Sequence, residues 1–151
     1  MDENALIVRR AVVEDLETVA ALFDEYRCFY RQSADREGAM AFIGTRLQVG
    51  DSVVLLALVG AQASGFVQLY PSLSSVSMRR IFVLNDLYVR PAARRLGVAT
   101  ALMLEAEKVA GDAGVVRLDL ATETTNSAGQ ALYEKLGWHR DEDYFHYGKK
   151  L

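Results

Sequence analysis

Three strand-like segments follow one another in the middle of the chain, and this order limits the fold more than any other feature of the sequence. They span residues 53–59, 64–70 and 78–89. Residues 60–62 predict a hairpin turn between the first two segments, and Pro71 is expected to end the second. The block therefore predicts three neighbouring, antiparallel strands of one sheet.

Helices and further strands surround this block. The pattern predicts a strand at 5–10 and helices near 16–30 and 34–49 before the block. After it, the pattern predicts a helix at 97–110, a strand at 115–121 and a helix at 126–136. Two short strands follow, which begin at Trp138 and end in 144–151. This order predicts an α/β (α+β) fold with a single mixed, mostly antiparallel sheet of about seven strands and helices on both faces. Because no linker or repeat interrupts it, we expect a single domain spanning residues 1–151.

The charge balance and the cysteine count exclude several classes of protein. A net charge of −3 gives no general affinity for nucleic acid, and the longest apolar run, Val53–Val59, is too short to span a membrane. The one cysteine, Cys28, cannot form a disulfide within the chain, and we expect it to be a small buried side chain. With an acidic start, the sequence predicts a cytoplasmic protein.

Arginines collect where the third central strand passes into a helix. Residues 84–100 read LNDLYVRPAARRLGVAT, with Arg94 and Arg95 just before Gly97. A helix N-terminus offers free backbone N–H groups and the positive end of the helix dipole, so a phosphate can bind there. The stretch lacks the Lys-Ser/Thr ending of a P-loop and the spacing of a dinucleotide fold. It is either a local anion site or a helix start with solvated arginines.

A second polar pattern opens the later helix. Asn126 and Tyr133 are seven residues apart, about two turns, and so share a helix face. Asn126 is also a good N-cap residue, and Tyr133 fits equally well as an ordinary half-buried tyrosine. Both interpretations stay open on the spacing alone.

Together these motifs resemble the GNAT superfamily of N-acetyltransferases. The resemblance rests on Leu-Tyr-Val-Arg-Pro at 87–91, on Arg94-x-x-Gly97-x-Ala99, and on Asn126 followed by Tyr-Glu-Lys-Leu-Gly-Trp at 133–138. The branch with yeast histone and polyamine acetyltransferases looks most similar. The Asn85-Asp86 pair is similar to an acidic pair of polyamine acetyltransferases, with an amide in the first place.

The resemblance implies acetyl-CoA as co-substrate and assigns residues to it. Backbone groups of Leu87, Tyr88 and Val89 would hold the pantetheine arm, and Asn126 would contact it. The diphosphate would bind in a cradle formed by Arg94, Arg95, Leu96, Gly97, Val98, Ala99 and Thr100. Tyr133 would lie near the thioester sulfur and act as general acid to the departing thiolate.

The acetyl acceptor needs a base, because a lysine-like amine is protonated at neutral pH. Asp86 interrupts the apolar strand beside the cofactor and is the candidate, either as base and binding group or as a polar residue at a bulge. In this family the first two helices shape the acceptor site, so Tyr26 and Tyr30 are candidate contacts, or core residues. His139 and His146 are too far apart for a metal motif, and no metal is expected.

These features predict an acetyl-CoA-dependent N-acetyltransferase with direct transfer to a primary amine. The acceptor would be a small polyamine, an amino-acid-like amine or a protein lysine, with no nucleic acid or membrane partner. The alternative is a non-catalytic acyl-CoA-binding sensor or scaffold module. Many members of the superfamily dimerise, and a terminal strand at 144–150 would offer an edge for a homodimer.

Overall fold

The computed structural model describes residues 3–151, which divide into two compact units. The larger unit extends to Ala121, and the smaller runs from Thr122 to Leu151. In the larger unit the elements are β1 (Leu6–Arg10), α1 (Leu16–Phe29), α2 (Arg36–Val49), β2 (Val53–Val59), β3 (Gln62–Ser74), β4 (Arg79–Val89), α3 (Val98–Asp112) and β5 (Leu118–Leu120). In the smaller unit α4 spans Ser127–Lys135.

The strands form one mixed sheet in the order β1-β2-β3-β4-β5. The first four pair antiparallel, and β5 pairs parallel to β4. The hairpin predicted at residues 60–62 is confirmed, because Val59 pairs with Gln62 across a two-residue turn in which Gly60 has a φ of 61°.

Helices cover both faces of this sheet. On one face α1 and α2 bury Leu22 and Ile43 against Leu56 and Phe66 of the strands. Successive side chains of a strand point to opposite faces, so Gly65 faces the other side. There a Cβ at Gly65 would lie 3.3 Å from Leu102 of α3. The predicted fold class is therefore confirmed.

The predicted count of about seven strands is wrong, since residues 3–151 contain five. The missing pair is the one expected from Trp138 to the C-terminus. The alternating pattern there is real, but Tyr144, Phe145 and Tyr147 are largely exposed and residues 138–151 form no strand. A strand exists only where its backbone pairs with a neighbour, which a local sequence pattern does not reveal.

Two smaller expectations also fail. Pro71 does not end β3, which continues to Ser74. The pairing of β3 with β2 ends where Val53 lies opposite Leu69, so at Pro71 only β4 pairs with β3. On the unpaired side no backbone N–H is needed for a ladder hydrogen bond, and a proline is tolerated there. Cys28 is exposed, because it lies off the apolar stripe of α1.

Two features of β4 determine the geometry of its second half. Gln68 pairs with Asp86 and Leu69 with Leu84, so Asn85 is an extra residue in a β-bulge. Pairing with β5 covers only Phe82–Leu84. Beyond that point, within the described chain, β4 has a strand neighbour on one side only.

The smaller unit contains α4 and its own capping interactions. The Asn126 side chain accepts a hydrogen bond from the Gly129 backbone N–H at 3.1 Å, as an N-cap does. Gly137 follows the helix with a φ of 91°, the left-handed conformation expected at this position. In residues 3–151 no helix is both long and apolar enough to cross a membrane.

Candidate active site

A chain of three buried polar side chains ends at Asp86. The Ser52 hydroxyl donates to Gln68 Oε1 at 2.8 Å, and Gln68 Nε2 donates to Asp86 Oδ2 at 2.7 Å. Gln68 is fully buried, and Asp86 is 3% exposed. Because Ser52 holds the amide oxygen, the amide N–H₂ group faces the carboxylate, where it stabilises the charged form.

The bulge brings a second donor to the same carboxylate. Asn85 Nδ2 donates to Asp86 Oδ1 at 3.0 Å. Burial nevertheless raises the pKa of Asp86 above its usual value, and the hydrogen bonds from Gln68, Asn85 and Tyr26 act in the opposite direction. A carboxylate with a raised pKa is a better proton acceptor than an ordinary aspartate.

Asp86 forms part of the wall of a cleft of about 310 Å³. The cleft is lined mainly by aromatic and polar side chains: Phe23, Tyr26, Arg27, Tyr30, Gln32, Phe42, Tyr70, Asn85 and Asp86. The candidate residues Tyr26, Tyr30 and Asp86 therefore come together at one cleft. The Tyr26 ring also packs edge-on against Phe66 in the core, so it serves the core and the cleft at once.

Tyr70 is a cleft residue that the sequence did not single out. Its pKa is raised to about 12, first by burial and next by the negative charge of Asp86. The phenol therefore keeps its proton at neutral pH and can donate a hydrogen bond into the cleft. Its position on β3 two residues beyond Gln68 depends on strand register, which sequence pattern alone does not specify.

The candidate cradle forms the turn between β4 and α3. Arg95 has a φ of 65° and Gly97 a φ of 79°, so the chain turns sharply before α3 begins at Val98. The first α3 hydrogen bond runs from the Ala101 N–H to the Gly97 carbonyl. The N–H groups of Val98–Thr100 thus precede the helical ladder, as an anion site requires.

The other cradle residues vary in exposure. Arg94, Arg95 and Leu96 are exposed, and Val98 is buried. Arg94 Nε donates to the Val89 carbonyl at 3.2 Å, and its guanidinium lies 5.8 Å from the centre of the Phe29 ring. The guanidinium is therefore held beside the free edge of β4.

Arg90 binds a carboxylate of the protein, whereas the arginine cluster was expected to bind a phosphate. Its Nη2 lies 2.8 Å from Glu25 Oε2, and its Nε contacts both carboxylate oxygens at 3.1–3.2 Å. The Tyr88 hydroxyl also donates to Glu25, at 3.3 Å. This ion pair ties α1 to the end of β4, so Arg90 positions structure while Arg94 and Arg95 stay at the surface.

The backbone of Leu87–Val89 fits a peptide-like cofactor arm. These residues pair with β3 on one side, opposite Gly65–Val67. They lie past the three residues that pair with β5. Apart from the Val89 carbonyl, which accepts from Arg94, the backbone groups on the open side can meet an extended ligand with its own amides, as in strand addition.

The two candidates on α4 belong to the smaller unit. Besides capping α4, Asn126 donates through Nδ2 to Thr122 Oγ1 at 2.9 Å. Tyr133 is half-buried, with its ring centre 6.3 Å from that of Trp138. The helix thus holds both side chains in defined positions, and their contacts with a cofactor stay predictions.

Within the described part of the chain, no group of three or more histidine, cysteine or acidic side chains could hold a metal ion.

Comparison with known proteins identifies the family. Residues 19–138 match the Acetyltransferase (GNAT) family. The chain is 44% identical over 140 residues to the uncharacterized N-acetyltransferase YhfO of Bacillus subtilis (strain 168), covering 93% of this chain and 94% of that protein. The chain therefore belongs to the GNAT family and is an acetyl-transferring enzyme.

Solved structures agree with this assignment. The crystal structure of a probable acetyltransferase is 36% identical and has a TM-score of 0.90, covering 96% of this chain and 97% of the other. The aminoglycoside N-acetyltransferase AAC(6')-Iy in complex with CoA has a TM-score of 0.81 at 19% identity, covering 97% and 96%. At that identity the second likeness shows the fold alone.

We predict that Asp86→Asn removes a loss of stability that the wild type undergoes as the pH rises from acid to neutral. Folding raises the pKa of Asp86, so the protonated carboxyl contributes to the stability of the folded protein. This contribution is fully present below the pKa of Asp86 in the unfolded chain and is lost as the pH rises through its pKa in the folded protein. The amide does not titrate and so avoids this pH-dependent loss, while at every pH it forgoes one of the two hydrogen bonds that the carboxylate accepts from Gln68 and Asn85. Urea unfolding at several pH values should show that the free energy of unfolding of Asp86→Asn, relative to that of the wild type, rises from acid to neutral pH.

The exposed Asp112 provides the control, since Asp112→Asn should change the free energy of unfolding by less than about 0.5 kcal/mol. An Asp86→Asn variant that loses as much stability as the wild type between acid and neutral pH would contradict the prediction.

Proposed function

We propose that this protein transfers the acetyl group of acetyl-CoA directly to a primary amine, with Asp86 as the base. The observation that carries the proposal is the buried Asp86 carboxylate, with its raised pKa, in the wall of an aromatic cleft. The family membership supplies the acetyl-transfer chemistry. The acceptor is a small polyamine, an amino-acid-like amine or a protein lysine.

The transfer forms a C–N bond and breaks a C–S bond. Asp86 takes a proton from the incoming ammonium, directly or through water, and the free amine attacks the thioester carbonyl. A backbone N–H on the open side of Leu87–Val89 stabilises the negative charge that develops on the carbonyl oxygen. Tyr133 gives its proton to the departing thiolate, so that neutral CoA leaves, and the second proton lost by the attacking nitrogen restores the Tyr133 hydroxyl.

The same chain provides groups suited to the rest of acetyl-CoA. The free edge of β4 suits the amides of the pantetheine arm, and Asn126 is the proposed additional contact. The cradle of residues 94–100 combines two exposed arginines with free N–H groups at the start of α3, which suits a diphosphate. The CoA complex of AAC(6')-Iy, an enzyme of the same fold, supports this choice of co-substrate.

We also propose that residues 1–151 act as one domain, that the protein works in the cytoplasm, and that it forms a homodimer. The family match, which runs from residue 19 to 138, supports the single domain. A chain with one cysteine suits a reducing compartment. The homodimer has support from the exposed apolar side chains of Tyr144, Phe145 and Tyr147.

Binding of acetyl-CoA should raise the melting temperature of the protein. Ligand at 100 times its dissociation constant stabilises by about 2.7 kcal/mol, which corresponds to a rise of roughly 5–10 °C for a chain of this size. Gly97→Ala should reduce the rise, because it strains the cradle at a positive φ.

Gly114→Ala is the matched control, because Gly114 has a similar φ of 73° at the other end of α3. Its melting temperature should fall through the same strain, while the rise on acetyl-CoA addition is kept. If acetyl-CoA, CoA and longer acyl-CoAs all leave the melting temperature of the wild type unchanged, the assignment of the cradle is overturned.

Tyr133→Phe should separate an enzyme from the alternative of a non-catalytic acyl-CoA-binding module. Loss of a general acid lowers turnover by about 10²–10⁴-fold, whereas the rise in melting temperature with acetyl-CoA should stay unchanged. CoA release with an amine acceptor measures turnover. The largely exposed Tyr147 gives the control variant Tyr147→Phe, which should keep full activity. Cofactor binding without transfer to any amine in the wild type would favour the module.

Analytical ultracentrifugation at micromolar concentration should give the mass of a dimer. Replacing Phe145 by Ser removes an 89% exposed aromatic ring and should weaken association. A monomeric mass for the wild type would overturn the homodimer.

A further inference from the structure

The acceptor cleft contains a cation as well as a carboxylate. Arg27 is half-buried on α1 and lines the cleft together with Asp86 of β4. No other charged side chain is among the described residues that line it. A ligand in this cleft therefore meets one positive and one negative group on different walls.

The guanidinium of Arg27 keeps capacity for a ligand. Its Nη1 donates to the Ser33 carbonyl at 3.3 Å, and no acidic side chain of the described chain forms an ion pair with it. A guanidinium has five N–H donors, so one bond to a carbonyl leaves most of them, and the full charge, for another partner.

Helix geometry places this cation among the aromatic side chains of the cleft. Phe23 and Arg27 are four residues apart, as are Tyr26 and Tyr30, so both pairs are neighbours on the surface of α1. The three rings can pack along an aliphatic chain. Arg27 and Asp86 then provide the two specific polar contacts.

Charge complementarity discriminates between the classes of acceptor. A polyamine would bring a second ammonium towards a cleft that already holds an unpaired guanidinium, which is unfavourable. A chain with an amine at one end and a carboxylate at the other matches both groups, because a guanidinium binds a carboxylate through two parallel hydrogen bonds.

We propose that the cleft selects an ω-amino carboxylate, a small acceptor with a primary amine for Asp86 and a carboxylate for Arg27. This rests on the proposed function, in which Asp86 receives the acceptor amine. Arg27 is then a specificity-determining residue that binds the end of the acceptor remote from the reaction.

The test uses three acceptors with the same amine and the same length of chain. In 6-aminohexanoate the far end is a carboxylate, in hexylamine a methyl group, and in 1,6-diaminohexane an ammonium. The wild type should give the highest kcat/KM with 6-aminohexanoate and the lowest with the diamine, about tenfold apart or more. Arg27→Gln should abolish the preference, and Arg27→Glu should reverse it.

A control variant separates this effect from general changes in surface charge. Arg36→Gln removes an exposed arginine of α2 that does not line the cleft, and it should leave the order of the three acceptors unchanged. The melting-temperature rise with acetyl-CoA should be equal in all four proteins, which shows that each variant is folded and binds the co-substrate.

The outcomes distinguish this proposal from the function on which it rests. The role of Arg27 is overturned, and the proposed function left intact, if all three amines are acetylated with no dependence of kcat/KM on the far end of the acceptor. The same follows if the wild type and Arg27→Glu rank the three acceptors in the same order. A wild-type preference for the diamine does the same. No transfer to any of the three amines, although acetyl-CoA binds, overturns the assignment of the cleft to small amines and this proposal with it.

Discussion

The hydrogen bonds that hold Asp86 in the sheet are the interaction on which the candidate site depends. A carboxylate that is 3% exposed is stable only if donors replace the water it has lost. Gln68 provides one of them, and its amide can face Asp86 because Ser52 holds the amide oxygen. The site is therefore built into two neighbouring strands and is as rigid as the sheet.

The β-bulge at Asn85 allows this arrangement within β4. The extra residue shifts the register, so that Asp86 lies opposite Gln68 and the Asn85 side chain can donate to the same carboxylate. A regular strand would pair these residues differently and would lose the contact with Gln68. The bulge therefore builds the polar site inside a sheet that is otherwise strongly apolar.

Local signals predicted much of the fold and part of the site. The turn at Gly60 and the helix start at Gly97 both need a positive φ. Glycine adopts this conformation readily, and glycines can be read directly from the sequence. The burial of Asp86 with Gln68 depends on register between strands, and nothing near Gln68 in the sequence reveals it. The final pair of strands was predicted wrongly for a related reason. Alternation of apolar and polar residues shows which side chains would share a face of a strand, but it does not show that a neighbouring strand is present to pair with.

Helix α1 contributes to both halves of the proposed reaction. Its Tyr26 and Arg27 line the proposed acceptor cleft, while its Glu25 binds Arg90 at the end of β4, just before the candidate cradle. A half-exposed ion pair contributes little to the stability of a fold, but with two guanidinium nitrogens on one carboxylate it fixes geometry well. A shift of α1 on acceptor binding would therefore move the end of β4 as well. In the proposed reaction, one rigid helix would then link the position of the acceptor amine to that of the thioester.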